Sequence, residues 1–202
     1  MADKLARAKL ARAAMRFAAR SRYALPPLIL MTDDARLPDP VAAARALPRG
    51  SMVILRARQA EHRRELALAL KFVARARGLK LLIAGDAELA ARIGADGIHL
   101  AETDAKQAAH WRARHGTWII TAAAHSFRAL IAARHTDAVI VAPVFPTASH
   151  PGGATLGAMR LRLITQQITR PIYALGGIDV RTVDALADAK LAGIAAIGAL
   201  TV

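Results

Sequence analysis

Short apolar runs recur along this chain with stretches of helical spacing between them, and nothing else in the sequence restricts the fold as strongly. The runs are Leu28–Met31, Met52–Leu55, Leu79–Ile83, Gly97–Leu100, Trp118–Thr121, Ala138–Val141, Ile172–Ala174 and Gly193–Ile197. Helical spacing falls at Val41–Leu47, Glu61–Arg77, Glu88–Ile93, Ala105–His115, Ser126–His135, Leu156–Ile168 and Val180–Lys190. A strand buried on both faces reads as a nearly unbroken apolar run, and alternation of such runs with helices implies a parallel sheet. Eight strands fit an α/β fold of the closed (β/α)8 barrel type, small for that architecture at 202 residues. An open doubly wound sheet is the alternative; no glycine-rich GxGxxG follows the first run, which argues against it.

The two chain ends need a separate reading. Lys4–Arg20 has helical spacing, with Lys9, Arg12, Arg16 and Arg20 in one stripe and Leu10, Ala14 and Phe17 on another face. The sequence divides into a basic N-terminal helix over residues 1–22 and a single barrel domain over 23–202. An acid-poor, Arg-rich start also suits a transit peptide, but no cleavage-like stretch of small polar residues follows, so a cap on the domain is expected. The eighth run ends near Ile197 and the sequence stops at Val202, so no eighth helix is expected. Either the N-terminal helix or a second subunit, as in a homodimer, should then cover the bare eighth strand.

The net charge is +14, and residues 1–22 carry seven Lys/Arg against Asp3 alone. That balance favours anionic ligands. No basic motif interleaved with aromatics is present, which argues against nucleic acid. The absence of Cys excludes disulfides, zinc-thiolate sites and cysteine nucleophiles. No run is long and apolar enough to span a bilayer, and a cytoplasmic location is expected.

In a (β/α)8 barrel the site forms where strands end at their C-termini. Gly176-Gly177 follows the seventh run and Gly198 the eighth, and backbone amides bared by glycine at strand ends suit a phosphate. A plain tight turn is the competing reading. After the second run, Arg56 and Arg58 stand two positions apart, on one face, as a grip for a phosphate or pyrophosphate, or simply as solvated loop charges. After the fourth, Asp104 suits either magnesium or capping of a helix that starts at Ala105, and the cap is favoured. After the fifth, His125 stands among small residues and is the candidate acid/base. After the sixth, the Gly/Pro-rich loop Ala142–Gly157 carries Thr147, Ser149 and His150 and has the make-up of a ligand-covering loop.

The segments GADGIHLAETD, AHS, APVFPTASH, ALGGID and GIAAIGAL, in this order and spacing, resemble the thiamine-phosphate synthase and thiazole tautomerase (TenI-like) family from about Leu28 onward. The resemblance implies a (β/α)8 barrel acting on a thiazole phosphate in thiamine biosynthesis. It implies that Gly177, Ile197 and Gly198 contact that phosphate through the backbone, with Thr147 and Ser149 at the family's hydroxyl positions. The synthase branch uses magnesium (Mg2+) and a lysine on the departing pyrophosphate. Here ILRAR stands for QLREK, Ala84-Gly85 for Asn-Asp, His150 for the lid lysine and Ala123 for a serine, while Asp104 keeps a metal position. The tautomerase branch needs no metal and uses a histidine at the place of His125. A tautomerase-like activity, with no cofactor, is therefore the leading expectation. His125 would move the proton, and Arg56 or Arg58 would hold a carboxylate or second anion. A divergent synthase with magnesium is the alternative, and a non-catalytic phosphate-binding barrel the third reading.

Overall fold

The computed structural model describes residues 2–56, 62–147 and 152–201. Eight parallel strands close into one barrel in sequence order: β1 (Leu28–Met31), β2 (Met52–Leu55), β3 (Lys80–Ala84), β4 (Gly97–Leu100), β5 (Ile119–Ala124), β6 (Ala138–Val141), β7 (Ile172–Ala174) and β8 (Gly193–Ala196). Closure is made by β8 pairing with β1, Ile29 opposite Ala195. That seam is tight: a Cβ on Gly193 would lie 1.9 Å from the Pro27 carbonyl oxygen, so only glycine lets the last strand reach the first. Almost every strand residue is buried, as expected where helices cover the outside and side chains fill the inside.

The helices are α1 (Ala2–Ala19), α2 (Pro40–Arg45), α3 (Arg63–Arg77), α4 (Ala87–Arg92), α5 (Ala108–Arg114), α6 (Phe127–Ala132) and α7 (Gly157–Gln167). Local chemistry sets several of their ends. Asp39, Asp86 and Ser126 accept the amides of Ala42, Leu89 and Ala129, and Gly78 ends α3 in the left-handed region.

The α1 helix lies on the outside of β8 and β1, the flank that a helix after β8 would cover. Leu10, Ala13, Ala14 and Phe17 share one face, and all four are buried. The charged stripe is not wholly given to solvent. Lys9 donates to the Val180 carbonyl at 2.7 Å, and Arg20 to that of Ala187 at 2.8 Å. Lys9 and Arg16 both pair with Asp184.

Those carbonyls are available because the helix expected over Val180–Lys190 does not form. Only a 3-10 turn, Val183–Leu186, stands there. Asp179 accepts the amides of Arg181 and Thr182, while the Thr182 hydroxyl donates to the Gly177 carbonyl. Such side-chain bonds compete with helix initiation, and the free carbonyls then take donors from α1. The helix expected from Ala105 is also corrected: a 3-10 segment, Glu102–Gln107, precedes α5. No helix among the described residues is long and apolar enough to cross a membrane.

Candidate active site at the barrel mouth

At the C-terminal ends of the strands lies a cavity of about 470 Å³. Arg56, Arg63, His99, Glu102 and His125 bring polar chemistry to its wall, with Met31, Ile140 and Leu175 among the apolar lining. Strand alternation explains the selection. Ala84, His99 and Thr121 are register partners on β3, β4 and β5, so they share the inner face, as do Ala101 and Ala123 one step further.

His125 follows β5 directly, and its ring lines the cavity with the side chain about half exposed. Its Nδ1 lies 2.8 Å from Glu102 Oε2, and its backbone amide donates to the same oxygen at 2.7 Å. The Ser126 hydroxyl donates to Glu102 Oε1 at 3.3 Å. Partial burial pushes the Glu102 carboxyl up, but the hydrogen bonds from His125 and Ser126 outweigh it and hold the group below the usual carboxylate range. A charged Glu102 thus faces Nδ1 and leaves Nε2 as the atom free to exchange a proton with a ligand.

His99 is deeper and of another kind. It is buried, with Nδ1 2.9 Å from the Thr121 hydroxyl oxygen. Burial, reinforced by the charges of Arg56 and His125, pushes its imidazole down to about 4, so the ring is neutral at neutral pH.

Arg56 donates its amide to the Thr32 hydroxyl, while its guanidinium pairs with Asp33. Asp33 also binds Arg36 through side chain and backbone, which hold its carboxyl well below the usual range. Arg56 is therefore half-neutralised where the sequence suggested an open grip. Its expected companion Arg58 lies outside the described residues. Arg63, at the start of α3, donates to the Ala84 carbonyl and adds the second cation of the wall.

The remaining candidates are placed as follows. Gly177, Ile197 and Gly198 stand at the ends of β7 and β8 on the same side of the barrel but are not among the described residues lining the cavity. Among the described residues the amides of Gly177 and Gly198 donate to no protein group. Gly177 has φ +63° and a Cβ there would meet the Pro146 carbonyl oxygen at 2.4 Å, so close packing under the β6–β7 loop also requires a glycine. Thr147 ends the described part of that loop and does not line the cavity; Ser149 and His150 lie outside the described residues. Asp104 is not the expected helix cap. It sits inside the 3-10 segment and accepts from the Gln107 amide at 3.3 Å.

Three residues of the wall were not singled out from sequence. Glu102 is visible there only as one of two acids after β4. His99 is legible as an inward position of GIHL by period-two alternation. Arg63 reaches the cavity from a helix start, which no strand-end rule finds.

These features can be set beside known proteins. The profile of the thiamine monophosphate synthase family matches residues 28–200. The chain belongs to that family. It is 33% identical over 162 residues to thiamine-phosphate synthase of Thermus thermophilus, covering 77% of this chain and 78% of that one. It is 32% identical over 146 residues to thiamine-phosphate synthase of Geobacillus thermodenitrificans, covering 70% and 66%. Two further relatives, from Geobacillus kaustophilus and Geobacter sulfurreducens, are covered over 62% and 65% of their length, so several matches span just under two-thirds of the relative. Among solved structures, thiamine phosphate pyrophosphorylase from Pyrococcus furiosus aligns with a TM-score of 0.69 at 22% identity over 84% of each chain, which supports the barrel fold.

The family implies magnesium in its synthases, and the residues described here do not fit that ion. A hard cation needs several oxygen donors converging on one point. Gly85, where the resemblance implies a metal carboxylate, brings no oxygen side chain. Asp86 is turned to the Leu89 amide, Asp33 is held by two arginines, Glu102 is engaged by His125 and Ser126, and Asp104, which the resemblance keeps at a metal position, accepts from the Gln107 amide. No group of three or more His, Asp or Glu among the described residues could hold a metal ion.

Proposed function

We propose that the chain is a transferase of the thiamine-phosphate synthase type, joining a pyrimidine pyrophosphate to a thiazole phosphate at the barrel mouth. The names carried by its relatives across 67–88% of this chain favour that reading over a proton shift on the thiazole. The observation that carries it is the pair of guanidiniums, Arg56 and Arg63, in the lining of the same cavity as His125 and Glu102. In the coupling step the thiazole nitrogen bonds to the pyrimidine methylene carbon and the carbon–oxygen bond to pyrophosphate breaks. Negative charge grows on the departing oxygens, and fixed cations in a partly desolvated wall stabilise it there. The amides of Gly177 and Gly198, which donate to no protein group among the described residues, would take the thiazole phosphate.

A second reading is favoured by one specific observation. The Glu102–His125 pair is an oriented acid/base, which suits the proton shift of a thiazole tautomerase. The two readings separate in one assay. Incubation with both phosphorylated halves should yield thiamine phosphate and one pyrophosphate per turn, and Arg56→Ala should lower that rate by about a hundredfold. Conversion of the carboxylated thiazole phosphate to its aromatic tautomer, without coupling, would overturn the transferase reading and leave the proton shift.

A further inference from the structure

At the opposite end of the barrel a second cavity, of about 500 Å³, opens where the chain enters β1, β7 and β8. Its wall carries Arg20, Arg22, Arg170 and Lys190, and no Asp or Glu is among its described lining residues. None of these four cations forms an ion pair among the described residues. Their hydrogen bonds go to neutral groups. Arg20 donates to the Ala187 carbonyl, Arg170 to that of Leu130, and Arg22 to the Tyr23 hydroxyl while lying over its ring at 5.1 Å. Arg170 is half-buried, and burial disfavours its charge. Cations that converge on a concave surface without carboxylates raise the local potential and concentrate anions. Thr169 and Gln166 add neutral polar side chains to the same wall, while the Thr165 hydroxyl is taken up by the Arg162 carbonyl and the Lys190 amide.

We propose that this cavity is a second anion site, which binds a compact diphosphate group at the face away from the mouth. The ligand class follows from the wall. Arg22 and Lys190 are exposed, and together with Arg20 and Arg170 they offer several N–H donors around a space wide enough for two linked phosphates. A diphosphate matches that charge; a neutral or singly charged ligand leaves most of it uncompensated.

The test is calorimetric titration of the full chain at low ionic strength with inorganic pyrophosphate and, separately, with ADP. The proteins compared are the wild type, the Arg22→Ala/Lys190→Ala double variant and Arg56→Ala at the mouth. The expected result is a pyrophosphate site weakened about tenfold or more by the double substitution and changed less than about twofold by Arg56→Ala. ADP should bind that site within about threefold of pyrophosphate, because the diphosphate supplies the contacts. Both substituted side chains at the cleft are exposed, so folding should be retained; Arg22→Gln alone gives the same reading with a single surface change. Pyrophosphate affinity unchanged in a folded double variant would overturn the proposal. So would binding of ADP but not pyrophosphate. Tight binding of a single-stranded oligonucleotide that pyrophosphate fails to displace would also overturn it, in favour of a nucleic-acid surface. If the mouth also takes pyrophosphate, as the transferase reading has it, the titration shows two sites: Arg56→Ala weakens the one at the mouth, and the double substitution weakens the one at the opposite end.

Discussion

Lowering the pH should destabilise this barrel through His99. The folded protein keeps the ring neutral down to about 4, while the ordinary value is 6.5. Between those values the unfolded chain binds a proton that the folded chain refuses, so stability falls as pH falls. The full interval corresponds to about 3 kcal/mol, and most of it is lost by about pH 4.5. For a domain of this size that is a fall in Tm of roughly 6–12 °C. The assay is denaturant or thermal unfolding of the wild type and His99→Gln from neutral pH down to about 4.5, above the range where most carboxylates titrate. Glutamine keeps a hydrogen bond to Thr121 within reach and removes the titration. Groups common to both proteins cancel in the difference. The variant should be less stable at neutral pH but flatter with pH, the gap narrowing as acid is added. Parallel curves for the two proteins would refute the reasoning.

Phe17→Ala should cost about 3–5 kcal/mol in denaturant unfolding, because the ring is buried between α1 and the barrel. A loss under about 1 kcal/mol would mean that α1 is not part of the packed domain. Gly193→Ala should destabilise by about 3 kcal/mol or more, since the added methyl meets the Pro27 carbonyl across the closing seam. An unchanged midpoint would contradict that close approach. Glu102→Gln keeps the shape of the side chain and removes its charge, so turnover should fall roughly ten- to a hundredfold with KM little changed. Ser126→Ala, which removes the cap of α6, should instead cost about 1 kcal/mol of stability. Equal effects of both on turnover would deny Glu102 a special part.

The barrel was legible because its strands are buried on both faces. LILM, MVIL and AVIV leave no polar face to confuse the period, and their order around the barrel is their order in the sequence. The segment after β7 was not legible. DVRTVDALADAK has helical spacing, but Asp179 and Thr182 close a turn first, and that competition appears only once their bonds are seen. The role of α1 was half legible: Leu10, Ala14 and Phe17 marked one face, while the partners of its charged side chains were not legible, because several of their acceptors are carbonyls far along the chain. The mouth divides in the same way. His125 was found as a polar residue among alanines after a strand. Glu102 was hidden by Asp104 beside it, and Arg56 looked free because Asp33 lies on a neighbouring strand end.

The central claim is that a phosphorylated thiazole sits across the barrel mouth between the glycine amides and His125. The most direct measurement is a crystal structure of the full chain soaked with thiazole phosphate. Phosphate oxygens should lie within about 3 Å of the Gly177 and Gly198 amides, with the thiazole ring in the cavity facing His125. Phosphate bound elsewhere, or a ring outside the cavity that His99, Glu102 and His125 line, would contradict it.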